Sequence, residues 1–144
     1  MRLRFLIVLA AVACAPPPPT EPTALHVIGT DYAFAAPDTV PAGVAMVTFE
    51  NKGVHSHELI MSPLKDGLTA RQFADSIAKG VSFRNLRRGG SAVLFADSTV
   101  NNQVVSMRLT LKSGELWGML CQFADSAKAP KHMTLGMYKV VAVK

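Results

Sequence analysis

From Ala24 onward apolar side chains recur at every second position. Val105, Met107, Leu109 and Leu111 alternate with Ser106, Arg108 and Thr110, and Ala45, Val47 and Phe49 alternate with Met46 and Thr48. A period of two places the apolar set on one face of an extended strand, so these segments can be satisfied only by a sheet with one face buried. Further strands are expected at Leu25 to Thr30, His57 to Met61, Ala92 to Phe95, Leu116 to Gln122 and Tyr138 to Val143. Breakers separate them at Pro41 to Gly43, Asn51 to Gly53, Gly89 with Gly90, and Ser113 with Gly114. About seven or eight short strands with such turns argue for an all-β chain folded as an antiparallel Greek-key β-sandwich.

One stretch departs from this period. Thr69 followed by Gln72 makes a capping box, Gly80 makes a stop, and Phe73, Ala74 and Ile77 make an apolar stripe between them. The pattern predicts one short amphipathic helix over Leu68 to Lys79, covering an open edge or end of the sandwich. The tetrad Phe-Ala-Asp-Ser occurs at Phe73, Phe95 and Phe123, but the flanks and spacings differ and define no repeat.

The N-terminus has a different character. Arg2 and Arg4 precede the apolar run Phe5 to Ala13, which is an export signal in outline and too short to span a bilayer. Ala11, Val12 and Ala13 lead into Cys14 and resemble a lipobox, with Ala11 where leucine is usual. This predicts cleavage before Cys14 and lipid on its sulfur; an ordinary signal cleaved near Ala15 would instead discard it. Residues 14–23, with Pro16 to Pro19 and Pro22, read as a polyproline tether. At about 3.1 Å per residue, its last eight residues would hold a domain roughly 25 Å from a membrane. The expected organisation is a signal over 1–13, the tether over 14–23 and one domain over 24–144, exported and held on the outer side of a membrane.

Charge excludes one class of function. The whole chain has 15 basic and 10 acidic residues, and loss of Arg2 and Arg4 narrows this to 13 against 10. So mild an excess, without interleaved aromatic and basic residues, gives no reason to expect nucleic acid.

Cysteine usage is more telling. An exported protein pairs its cysteines or avoids them, yet with Cys14 lipidated or discarded Cys121 is alone. A bound metal is one reason for such a thiol, and simple packing is the other. Alternation puts Trp117, Met119 and Cys121 on one strand face, so the thiol is expected inside. Ten residues separate Cys121 from His132 and four separate His132 from Met137. Thiolate, imidazole and thioether are three parts of the blue-copper set of two His, one Cys and a distant Met. A second imidazole is available at His26, His55 or His57. His57 is best placed, at the start of a strand with Leu59 and Met61 on the same face; His55 is the substitute, and His26 is expected on the surface.

These residues resemble the cupredoxins, and more closely the small exported plastocyanin-like domains. The resemblance covers about Leu25 to Val143. It includes Asp31-Tyr32-Ala33-Phe34, the turn Pro37 to Gly43, Phe49 to Gly53, His57, Leu111 to Gly114, and then Cys121, His132, Gly136 and Met137 in order. It implies one type 1 copper held by His57, Cys121 and His132 in a plane with Met137 on the axis, and an electron carrier rather than an enzyme. Two features differ from many well-studied members: Glu58 follows His57 where Asn is common, and the loop from Cys121 to His132 is long.

On this reading electrons leave by the edge of His132, through a docking surface of Pro130, Met133 and Leu135 bordered by Lys128 and Lys131. That surface suits an acidic redox partner of a monomeric protein. Rival readings share the fold or the residues: a copper carrier that delivers the ion, a metal-free binding domain, a zinc site that adds Asp125, and a Cys121–His132 nucleophilic dyad. Arg84, Arg87 and Arg88 could dock a partner for any reading of this fold, although such a cluster is usually a solvated loop.

Overall fold

The structure is a computed structural model that describes residues 21–100 and 103–144. The signal segment, Cys14 and most of the tether lie outside the described residues.

In chain order the strands are β1 (Thr23–Thr30), β2 (Ala33–Ala35), β3 (Thr39–Val40), β4 (Gly43–Asn51) and β5 (His57–Pro63). After helix α1 (Ala70–Ala78) come β6 (Ala92–Ala96), β7 (Val104–Leu111), β8 (Leu116–Leu120) and β9 (Tyr138–Val143). They form two sheets, one ordered β2-β1-β4-β7 and the other β3-β9-β8-β5-β6. The seven expected strands are all present, each end within two residues of the expected one, and two very short ones, β2 and β3, join them.

Most neighbouring strands pair antiparallel, as expected of the sandwich, with two exceptions. β1 pairs with β4 in parallel, as β3 does with β9, so both sheets are mixed. The reason lies in connectivity. β1 and β4 are separated by β2 and β3, a connection that lets β4 return alongside β1 in the same direction, which no tight hairpin permits. Strand alternation reads out the inward face of each strand and is blind to the direction of its neighbour.

Between the sheets lies the main core. Leu25 and Val27 of β1, Val47 and Phe49 of β4, Leu59 and Met61 of β5, and Trp117 and Met119 of β8 meet there with Cys121 and Met137. The alternation in β7 is correct in phase, but Val105, Met107 and Leu109 are only half-buried, because β7 is the open edge of its sheet.

A second core sits on the outside of the other sheet. Phe73 and Ile77 of α1 pack there with Phe83, Leu86, Ile60, Leu120 and Met133. Helix α1 therefore covers a sheet face, and not an edge or end as the sequence suggests. Burying Phe73 and Ile77 there contributes about 1.5–3 kcal/mol each. Its start is the expected capping box: the Gln72 N–H donates to Thr69 Oγ1 at 3.2 Å, and the Thr69 N–H donates to Gln72 Oε1 at 2.9 Å. Gly80 ends it at φ +74°, its N–H donating to the Ile77 carbonyl at 2.9 Å. Gly118 lets the helix approach, because a Cβ there would stand 2.7 Å from Leu64 Cδ2 and 3.0 Å from Phe73 Cε2. With a core on both faces, β5 and β8 are buried almost throughout; β5 opens with His57, and Cys121 directly follows β8.

Candidate metal centre

His57 opens β5, Cys121 directly follows β8, His132 begins a 3-10 turn and Met137 precedes β9. All four meet at one end of the sandwich. Among the described residues, His57, Cys121 and His132 each offer a ligand atom and all three atoms lie within 4.8 Å of one another. The Nδ1 atoms of His57 and His132 are 3.1 Å apart, and Cys121 Sγ is 4.0 Å from the first and 3.6 Å from the second. The three side chains are almost wholly buried, at 0, 0 and 1% exposure for His57, Cys121 and His132. A soft sulfur and two imidazoles converging out of water form a donor set able to hold a transition metal.

Backbone bonds fix this convergence. The Cys121 N–H donates to the Met137 carbonyl at 3.1 Å, the Met133 N–H to the Cys121 carbonyl at 2.8 Å, and the Met137 N–H to the His132 carbonyl at 3.0 Å. The long loop is pinned at its neck by the His132 N–H donating to the Phe123 carbonyl at 2.7 Å, so its length bulges outward without displacing His132. Gly136, at φ +116°, turns the chain between His132 and Met137 in a conformation that a Cβ would strain.

Met137 is fully buried in the core that contains Cys121, and a Cβ at Gly29 would stand 3.3 Å from its methyl carbon. Met133 packs behind the sheet in the helix-side core. It cannot belong to the docking surface expected of it; Pro130 and Leu135 remain exposed. The outer edge of the His132 ring is covered by Asp125, whose Oδ1 lies 2.7 Å from Nε2.

The other histidines stand apart from the cluster. His26 is exposed and 3.3 Å from Glu50. The His55 side chain is 39% exposed and lies outside the donor cluster, its ring 6.0 Å from that of Tyr32. Its Nδ1 is 3.3 Å from Asp31 Oδ1 but lacks hydrogen-bond geometry. Asp125 sits on the outer side of His132 and is not one of the converging donors, which removes the zinc set that included it.

Several residues that sequence reasoning gave no role surround the centre. Asp31 Oδ1 is 3.1 Å from His57 Nε2, and its carboxylate accepts from the N–H groups of Val54 and His55. Burial opposes its ionisation, but these donors outweigh that cost and hold its pKa at about 2. Gly53 is required here, because a Cβ would overlap Asp31 Oδ1 and stand 2.8 Å from His57 Nε2. Glu58 takes the position where Asn is common: its N–H donates to Cys121 Sγ at 3.4 Å, and its Oε1 accepts from the Gln122 N–H at 3.0 Å. One residue thus ties the His57 strand to the Cys121 strand. No motif signals these contacts, which join positions 26 and 64 residues apart.

Burial pushes the Cys121 thiol up and the Glu58 carboxyl up, and pushes His57 down against the pull of Asp31. A buried thiol driven upward is the reverse of an activated nucleophile, which argues against a Cys-His dyad.

A cavity of about 680 Å³ lined by Asp66, Thr69, Arg88, Lys112 and Glu115 lies at the opposite end of β8 and borders none of the donors. Arg88 is committed to Asp66 and Glu115, whereas Arg84 and Arg87 line a smaller cleft with Val93 and Gln122.

No protein-family model matches the sequence, and no curated protein matches it. Solved structures do. The reduced auracyanin of Roseiflexus castenholzii aligns with a TM-score of 0.55 at 21% identity, covering 85% of this chain and 97% of that one. Auracyanin A of Chloroflexus aurantiacus, described as a "blue" copper protein, aligns at 0.51 and 15% identity over 86% of this chain and all of the other. Rusticyanin of Thiobacillus ferrooxidans aligns at 0.51 and 16% identity over 84% and 77%. Two mixed sheets packed as a sandwich agree with these alignments: the chain has the cupredoxin fold.

Proposed function

We propose that this protein is an exported electron carrier that binds one type 1 copper through His57, Cys121 and His132, with Met137 as the distant fourth ligand. The observation that carries the reading is the three buried donor atoms within 4.8 Å of one another. The residues fit the ion: thiolate sulfur suits Cu(I), imidazole suits both oxidation states, and among the described residues no carboxylate and no second thiol joins the donors. Bound there, copper would supply one-electron chemistry between Cu(I) and Cu(II). The chain's part is to hold the donors nearly unchanged through that cycle. Rigid β5 and β8 with a core on each face, the pinned neck of the loop and the Glu58 bridge all serve that end. Resemblance to blue copper proteins in solved structures supports the same reading.

The partner is proposed to be an acidic redox protein. Phe95 of β6 and Phe123, two residues beyond Cys121, are 44% and 36% exposed and stack with ring centroids 5.3 Å apart. With exposed Pro130, Leu135, Lys128 and Lys131 they offer an apolar surface with a basic border close to the centre. The signal-like N-terminus and Cys14 support export and a lipid anchor.

The test is a visible spectrum of the purified protein after Cu(II) is added and excess removed, beside Cys121→Ser. An intense thiolate-to-copper band lost in the variant supports the reading. Absence of both band and retained copper refutes it.

A further inference from the structure

Tyr32 is the one described non-glycine residue with positive φ, at +67°. An aromatic residue in the left-handed region is disfavoured and persists where surrounding contacts demand it. Here the contacts are at the metal centre. Asp31, immediately before it, receives the Nε2 side of His57 at 3.1 Å. The Tyr32 O–H donates to Asp125 Oδ2 at 2.7 Å, and Asp125 Oδ1 is 2.7 Å from His132 Nε2. One strained turn therefore reaches both imidazoles, His57 directly and His132 through Asp125. The Tyr32 ring also meets the His132 ring edge-on, with centroids 5.1 Å apart.

We infer that Asp31 and Asp125, the latter clamped by Tyr32, are positioning residues that hold both imidazoles with Nε2–H outward and Nδ1 toward the Cys121 sulfur. A neutral imidazole has one N–H and one lone pair, and a carboxylate that accepts at one nitrogen assigns the lone pair to the other. Both rings are buried, so the carboxylates take the place of water at the outer nitrogens. The long loop after Cys121 gains a purpose, since it is the segment that carries Asp125 back over His132. As far as the metal is concerned, this inference rests on the copper reading above; as far as the rings are concerned, it does not.

A carboxylate on the outer nitrogen makes each imidazole a better donor and favours the more highly charged ion. Asp125→Ala is expected to weaken Cu(II) retention by about 10- to 100-fold and raise the reduction potential, with Asp125→Asn partly restoring both. Tyr32→Phe, which loses only the hydroxyl, should shift the potential in the same direction by less. The independent readout is nitrogen-15 NMR of the histidine rings in the metal-free protein. Protonated Nε2 on both His57 and His132 is expected, lost at His132 alone in Asp125→Ala and at His57 alone in Asp31→Ala. Should Asp125→Ala fail to fold by circular dichroism, Tyr32→Phe and Asp125→Asn carry the test. Ring protonation and potential unchanged in the variants would overturn the inference while leaving copper binding intact. A wild-type protein that retains no copper would sink the copper reading, and the ring spectra alone would then decide the positioning role.

Discussion

His57 and His132 face each other through their Nδ1 atoms at 3.1 Å, although they stand 75 positions apart in the chain. The contact joins the first residue of β5 to the first residue of a 3-10 turn, and Cys121 closes the triangle. Only these two imidazoles present nitrogen to the sulfur, which makes the neighbouring His55 a direct control. His57→Ala is expected to abolish copper retention measured after gel filtration, whereas His55→Ala keeps it and leaves the visible band in place. Loss of the band in His55→Ala would mean that the ligand set is wrong.

Met137 and Met133 lie in different cores, and this separates their roles. Exchange for leucine conserves volume and should cost each variant less than about 1.5 kcal/mol in thermal unfolding. With copper bound, Met137→Leu is expected to shift the reduction potential and Met133→Leu to leave it unchanged. Equal potentials in the two variants would remove Met137 from the axial position.

Asp31 makes metal-free stability depend on acid. Its pKa falls from 3.8 to about 2 on folding, so between those values the unfolded chain binds more protons and stability rises with pH. The contribution is complete above about pH 4, amounts to about 2 kcal/mol, and disappears as pH falls through 2. Denaturant melts of metal-free wild type and Asp31→Asn should differ by that amount at pH 6 and converge near pH 2. A constant difference across the range would show that the carboxylate charge is not responsible.

Gly118 sets how closely α1 sits on β8. A methyl there meets Leu64 and Phe73, both buried, so Gly118→Ala is expected to cost about 1–3 kcal/mol in urea unfolding. Alanine favours strand over glycine, so a stabilised variant would mean the helix has room to move.

The sequence by itself determined the strands, because a period of two is a local property that burial of one face imposes on every second residue. The phase of that alternation also placed Cys121 inside and set His57 on the same face as Leu59 and Met61. The capping box of α1 was legible for the same reason, as Thr69 and Gln72 bond within one turn. Tertiary structure alone decided what depends on distant segments meeting. Parallel pairing of β1 with β4 follows from the path of the chain between them, and α1 lies on a sheet face because that face carries Ile60 and Leu120, with Met133 of the 3-10 turn packed beside them. Met133 sits among mostly exposed neighbours in the chain, and only the tertiary path of the turn brings its side chain into that second core. Asp31, Tyr32, Glu58 and Asp125 stand out in the sequence by resemblance or residue type, but nothing local assigns their contacts, since a polar residue in a turn is equally at home in water. Their roles arise where the turn after β1, the start of β5 and the long loop after Cys121 close over two buried imidazoles.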